Sequence, residues 1–499
     1  MYYCSTRGEL GHISSAEAIR RGLAPDGGLF VPETDVRLTP EDILAMTKMN
    51  YKERAIFILG HFLDDYSVEE LTECVNGAYG SSKFDGDMVA PIKKLNNNAY
   101  MLELWHGPTC AFKDVALQLL PRLLVKAVEK AGDNAQTVIL VATSGDTGKA
   151  ALEGFKDVKG TRIIVFYPKN GVSKVQRMQM VTQEGGNVSA VAVEGNFDDT
   201  QNGVKAIFSD ATLKEEMLKK GYRFSSANSI NWGRLVPQIV YYFSAYAELL
   251  ANGEIHEGEK INFTVPTGNF GNILAAWYAR QMGLPINKLI CASNENNVLT
   301  DFINTGVYNK NREFKKTISP SMDILISSNL ERLLFELSGH DGKKVSALMS
   351  KLVKDGRYNI DEEMKQKITE IFWSSFSTEA EITSTIKDIY DEFDYVVDTH
   401  TAVGIDVYDK YVISTGDMTK NIIASTASPF KFNKSVAGAI FGEKAIAGRT
   451  EFELLDMLAE RCDLSIPTGL AGLEEKRVLH NSVCGKEDMK EEVRKILEL

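Results

Sequence analysis

Lys113 stands in the segment His106-Gly107-Pro108-Thr109-Cys110-Ala111-Phe112-Lys113-Asp114, just ahead of an apolar, helix-competent run over residues 115–128. The Gly-Pro pair ends whatever precedes it, and Thr109 or Asp114 can cap a helix that begins near Lys113. One amine therefore sits at the first turn of a helix, between an aromatic ring and an apolar stretch. Burial and the positive end of the helix dipole both disfavour the ammonium form. A lysine with an accessible neutral amine can form a Schiff base with an aldehyde cofactor. The same residues taken alone also describe a half-buried lysine that only begins a helix, so other loops must decide.

Three loops rich in glycine, hydroxyls or amides bear on that choice. Gly268-Asn269-Phe270-Gly271-Asn272 has the makings of a phosphate cradle. Its glycines let the backbone approach an anion, its asparagines add donors, and it contains no lysine or arginine. A tight turn that merely needs glycine is the bland alternative. Thr143-Ser144-Gly145-Asp146-Thr147 offers hydroxyls and amides suited to a carboxylate. Its continuation to Lys149 resembles a nucleotide P-loop only in part. Thr143 falls where the first glycine belongs, and Ala150 where a magnesium-binding hydroxyl is required, so that reading fails. In the third loop, Asn228, Asn231 and Arg234 gather near a helix start, a sensible second phosphate site or simply a solvated helix end. A Schiff-base lysine, an amide cradle, a hydroxyl loop and an Arg/Asn site together describe pyridoxal phosphate with an amino-acid substrate bearing a second anion.

These loops need a scaffold that brings strand ends together. A nearly all-apolar run over 137–142 suits a strand buried on both faces. Further strands are expected over 99–104, 162–167, 188–193, 222–225, 261–265, 395–398 and 421–425. Helices are expected over 149–155, 173–184, 198–209, 235–250 and 273–282. Such alternation implies α/β architecture with parallel sheets and right-handed crossovers, whose ligands bind at strand C-termini. Residues 1–87 read as a helical N-terminal domain and 88–432 as the catalytic region. Within the latter, about 135–230 form a smaller α/β domain and the rest a larger one. Residues 300–390 are expected as a helical insertion, with helices over 331–337, 343–355 and 361–374, and 433–499 as a helical tail.

At 499 residues the chain has room for two or three domains, and 44% hydrophobic with 25% charged residues is ordinary for a globular protein. A net charge of −12 argues against nucleic acid or an anionic membrane as the main partner. The six scattered cysteines lack metal-binding spacing, which argues against zinc and for reduced thiols in a cytoplasmic setting. The N-terminus lacks the pattern of a secretory signal.

The lysine segment, Ser144-Gly145-Asp146-Thr147-Gly148, Ser226-Ala227-Asn228-Ser229-Ile230-Asn231-Trp232-Gly233-Arg234 and the 268–272 loop resemble, in that order, the threonine synthase family. Ser5-Thr6-Arg7-Gly8 and Gly22-Leu23-Ala24-Pro25-Asp26-Gly27-Gly28-Leu29 are similar to its longer bacterial and fungal form. The resemblance covers nearly the whole chain. It implies a fold-type II pyridoxal-phosphate enzyme, tryptophan synthase β-like, with two open, mostly parallel-sheet α/β domains. It further implies a carbon–oxygen lyase that turns O-phospho-L-homoserine and water into L-threonine and phosphate, as a monomer or homodimer.

By that resemblance Lys113 carries the cofactor and shuttles protons. Gly268, Asn269, Phe270, Gly271 and Asn272 bind its phosphate. Thr426 faces the pyridine nitrogen, where a hydroxyl tempers the electron sink. Thr143, Ser144, Asp146 and Thr147 surround the substrate carboxylate and the cofactor hydroxyl. Asn228 and Arg234 hold the substrate phosphate, with Ser226 and Asn231 close by. Many relatives carry His-Pro where this chain has Ser428-Pro429, so no histidine role transfers there. For His400 a helix-start structural role is expected. The rival readings are a serine or threonine dehydratase-like lyase, which needs no second phosphate site, and a non-catalytic cofactor-binding homologue.

Overall fold

β-Branched and apolar runs buried on both faces build the two sheets on which everything else is hung. The computed structural model describes residues 1–86, 89–143 and 145–499. Its strands in chain order are β1 (Tyr3–Ser5), β2 (Phe30–Pro32), β3 (Ile92–Lys94), β4 (Ala99–Glu103), β5 (Gln136–Ala142), β6 (Thr161–Pro168), β7 (Val188–Glu194), β8 (Tyr222–Ser225), β9 (Ile261–Pro266), β10 (Ile286–Ser293), β11 (Val307–Asn309), β12 (Arg357–Asn359), β13 (Phe372–Phe376), β14 (Asn421–Ser425) and β15 (Ser482–Gly485).

Among the described residues the larger sheet runs β13-β10-β9-β14-β4-β3 and the smaller one β15-β7-β6-β5-β8. Every pairing in both is parallel except β3 with β4. Helix Trp232–Ala251, almost wholly buried, packs against helix Gly271–Gln281 of the larger unit and helix Tyr51–Phe62 of the N-terminal region. That N-terminal region joins the antiparallel pair β1-β2 to helices opened by capping boxes at Thr39, Asn50 and Ser67. No helix among the described residues is long and apolar enough to cross a membrane.

The structure departs from the sequence reading at several elements. Helix Glu362–Ile371 stops short of residue 374, and Phe372–Phe376 becomes β13, pairing with β10 at the edge of the large sheet. The 300–390 stretch is therefore not helical throughout, because it completes that sheet. Residues 395–398 are not a strand; Asp398 caps helix Thr399–Thr415. The 433–499 tail is not purely helical, since β15 pairs with β7 and closes an edge of the smaller sheet. The expected helix over 115–128 is two, Lys113–Leu117 and Leu120–Lys130, the second with Pro121 in its first turn.

Candidate active site

Lys113 opens a helix of only five residues, and the loop ahead of it is held by Asp114 reaching backwards. The buried Asp114 carboxylate accepts from Thr109 N at 2.8 Å and from Thr109 Oγ1 at 2.6 Å. Burial pushes Asp114 up to about 6. Gly107 is obligatory in this turn, because a Cβ there would lie 2.5 Å from that of Asp114. Phe112 N donates to Thr426 O at 2.8 Å and Ser428 N to Cys110 O at 3.0 Å, which stitches the Lys113 loop to the end of β14. Thr426 is thereby brought to the same strand-end crevice as the lysine.

The Lys113 amine is buried, its side chain 11% exposed. It donates to Ser321 Oγ at 3.4 Å, lies 4.0 Å from Asp146 Oδ2 and sits 4.8 Å from the centre of the Phe112 ring. Burial is the largest influence on its ammonium and pulls it below the usual lysine range. Lys431 and Arg234 act in the same direction, and Asp146 and Asp114 oppose them.

The 268–272 loop connects β9 to helix Gly271–Gln281. Phe270 adopts the left-handed φ of 63°, and the helix start carries no side-chain cap. Its carbonyls face other donors. Ser327 Oγ takes Gly268 O at 2.8 Å, while Asn329 N and Nδ2 take Asn269 O at 3.1 and 2.9 Å. Asn272 Oδ1 accepts from Tyr241 and Tyr242 at 2.5 and 2.6 Å, and its Nδ2 is buried without a partner among the described residues. Uncapped amides and an orphaned buried donor suit a bound anion. A Cβ on Gly268 would lie 2.7 Å from Ser321 O, so the loop packs directly on the turn that touches Lys113. Gly268→Ala is expected to displace it and weaken pyridoxal phosphate binding roughly 5- to 150-fold, from about 1–3 kcal/mol of overpacking. Absorbance titration of the cofactor-free protein checks this; unchanged affinity would remove the loop from the site.

The hydroxyl loop serves partly as its own scaffold. Thr143 Oγ1 accepts from Gly145 N and Gly148 N, both at 3.0 Å. Ser144 lies outside the described residues. Asp146 and Thr147 begin helix Asp146–Phe155. The buried Asp146 Oδ1 receives Lys431 Nζ at 2.9 Å and Gln176 Nε2 at 2.9 Å. Although burial alone would raise it, Lys431 and Lys113 hold this carboxyl well below the usual range.

In the third loop Asn231 turns out to be committed. It caps helix Trp232–Ala251 by accepting from Gly233 N at 2.9 Å, and its Nδ2 donates to Ile19 O and Ser226 O at 3.0 and 2.9 Å. It shapes the loop, and both amide protons of its side chain are taken within the protein. Ser226 Oγ accepts from Asn228 N at 3.2 Å, and Asn228 is exposed. Arg234 is buried; its Nη1 donates to Ala227 O at 2.6 Å, while Nε has no partner among the described residues. Burial brings its guanidinium down to about 10, as expected of a buried cation that lacks an anion.

Several site residues were not read from the sequence. Lys431, Ser321 and Gln176 belong to none of the four motifs; Ser321 reaches the Lys113 amine, and Lys431 and Gln176 reach Asp146, through tertiary packing. Asp398 caps the helix carrying His400 and accepts its Nδ1 at 2.7 Å, and His400 Nε2 then accepts Ser321 N at 3.1 Å. The Asp-Thr-His spacing signalled the cap but not its reach to Ser321. Arg332 is fully buried and ties both anion loops together, donating to Asn329 Oδ1 at 2.5 Å and to Ile230 O at 2.6 Å.

A family model described as threonine synthase N terminus matches residues 2–79, one described as pyridoxal-phosphate dependent enzyme matches 89–353, and one described as threonine synthase, C-terminal, matches 401–484. Threonine synthase from Pseudomonas aeruginosa is 39% identical over 477 residues, covering 95% of this chain and 97% of that protein. Threonine synthase-like 1 from Homo sapiens is 41% identical over 435 residues, covering 85% of this chain; the chain spans only 58% of that relative. The crystal structure of pyridoxal-phosphate-bound threonine synthase from Brucella melitensis is similar with a TM-score of 0.88 and 37% identity, covering 100% of both chains. The two sheets are thus those of a fold-type II enzyme. A buried amine, an uncapped glycine-walled amide turn and matches along most of the sequence converge: this chain belongs to the threonine synthase family of pyridoxal-phosphate-dependent enzymes.

Proposed function

We propose that the protein converts O-phospho-L-homoserine and water into L-threonine and phosphate, with Lys113 as its catalytic residue. The observation that carries the reading is Arg234, buried with an Nε that has no partner among the described residues and close enough to influence the Lys113 charge. It offers a second anion site separate from the 268–272 amides, which a phosphate-bearing amino acid requires and a simple dehydratase does not. The fit of the cofactor rests on three features: the buried Lys113 amine, the uncapped turn beside Gly268, and the free Asn272 donor.

When bound, pyridoxal phosphate supplies an aldehyde for the amine and an electron sink for the substrate's α-carbanion. The 268–272 amides and Asn272 would hold its phosphate, Thr426 would face its ring nitrogen, and Asp146 would stand by its hydroxyl. Lys113, as a free amine, would take the α-proton and a β-proton and return protons to Cγ and Cα. Its lowered ammonium range favours the neutral base this work needs. Thr147 and the loop amides orient the substrate carboxylate. Arg234, with Asn228, holds the γ-phosphate as the C–O bond breaks and retains the anion while water adds at Cβ. The retained phosphate accepts the proton of that water. Burial of the Lys113, Asp146 and Arg234 side chains keeps bulk water from the reacting atoms during these steps. Six free thiols support a reducing, cytoplasmic setting.

The test is a paired assay of inorganic phosphate and L-threonine from O-phospho-L-homoserine. Equal molar yields of both are expected; keto acid without threonine would favour the dehydratase-like reading.

A further inference from the structure

Lys431 belongs to none of the three loops, yet it is the cation nearest the Asp146 carboxylate. It sits on the turn Pro429–Phe432 after β14, with its side chain fully buried. Its Nζ donates to Asp146 Oδ1 at 2.9 Å and to Thr109 O at 2.8 Å. Thr109 in turn holds Asp114, the neighbour of Lys113. The larger sheet's turn is thus clamped both to the smaller domain's helix start and to the loop presenting the catalytic amine. Asp146 has two cations, Lys431 at 2.9 Å from one oxygen and Lys113 at 4.0 Å from the other.

We propose that Lys431 is a positioning residue for the Lys113 site, acting as the permanent counter-ion of Asp146 so that this carboxylate stays ionised and oriented without Lys113 as its sole partner. This rests on Lys113 being the cofactor-bearing lysine. The physical need follows from the chemistry. Lys113 must exchange its bond to the cofactor for a bond to protons during turnover, so any carboxylate relying on it alone would lose its partner in a buried site. An unpaired buried carboxylate would protonate or turn away. Lys431 takes no part in bond changes and is held by a backbone carbonyl, so its charge stays in place.

The charged groups facing Lys113 are Asp146 from helix Asp146–Phe155, Lys431 from the 429–432 turn, Arg234 from helix Trp232–Ala251, and Asp114 from its own helix. The Phe112 ring and Ser321 hydroxyl complete its surroundings. Removing Lys431 deletes one positive neighbour and leaves Asp146 to act on Lys113 alone. Both changes favour the protonated nitrogen at position 113.

The experiment follows the visible band of the holoenzyme against pH, since the band reports the proton on the Lys113 nitrogen. Lys431→Met is expected to raise the midpoint by roughly one pH unit or more, a tenfold gain in proton affinity. Lys431→Arg keeps the charge and is expected to stay near the unaltered protein. A midpoint that ignores both changes overturns the proposal and leaves Lys431 as packing only. If Lys431→Met does not accumulate folded, Lys431→Gln carries the test: the midpoint must rise, and an unmoved midpoint overturns the proposal equally. A Lys113-dependent band missing from the unaltered protein would overturn the site reading and this proposal together. A normal band with a Lys431-insensitive midpoint would overturn this proposal alone.

Discussion

Lys113→Ala is expected to give a folded, colourless protein that forms threonine at least roughly 10³-fold more slowly, the scale of a lost proton-transfer group. The loss cannot be made good by a neighbour. Lys431 is fully buried and committed to Asp146 and Thr109 O, and Lys149 is engaged by Glu153 and Gln183. Folding should survive, because removing a buried ammonium also removes its desolvation cost, while Asp146 keeps Lys431 and Gln176. Lys113→Arg separates charge from nucleophilicity. It preserves the cation near Asp146 but offers no amine that can bond an aldehyde, so it should be as inactive and as colourless as the alanine variant. Absorbance spectra and single-turnover phosphate release check both. A yellow, active Lys113→Ala protein would place the chemistry on another residue.

Arg234→Ala is expected to raise KM for O-phospho-L-homoserine roughly 30- to 4,000-fold, from the about 2–5 kcal/mol lost when one partner of a buried charged contact is deleted. The guanidinium is buried, bonds only Ala227 O through Nη1, and keeps Nε free among the described residues. Any residual deamination of L-serine, which brings no phosphate, should be nearly unaffected. Arg234→Lys should fall between, since a point charge replaces a planar fork. Equal losses on both substrates would mean that Arg234 only supports the loop through Ala227 O. Cofactor affinity, set at the 268–272 turn, should change little in either variant.

The parts of this site that were legible in the sequence are those with a local cause. Gly107 must be glycine because Asp114 folds back over it, and Gly268 because Ser321 O lies against it; such demands leave glycine at a fixed place beside the functional residue. The apolar run that became β5 was readable because burial on both faces leaves little polar alternation, whereas β9 alternates apolar residues with Asn262 and Thr264 although all of it is buried. β13 and β15 were not, because β13 follows directly on helix Glu362–Ile371 and β15 precedes the last helix with little apolar run of its own, so their signal is the sheet each one joins. Asn231 and Arg234 stand three residues apart and look equivalent in sequence. Only packing shows that Ile19, Ser226 and Gly233 occupy the asparagine while the arginine keeps a donor free among the described residues. Ser321 comes to Lys113 from 208 residues along the chain, His400 stands behind Ser321, and Lys431 reaches the shared Asp146 from beyond β14, which no local pattern records.

Borohydride reduction of the holoenzyme, followed by peptide mass mapping, asks the central question without relying on turnover. A phosphopyridoxyl group on the peptide containing Lys113, at one equivalent per chain and absent from the Lys113→Ala protein, is the expected result. The same label on Lys431, Lys149 or any other lysine, with Lys113 unmodified, would contradict the account.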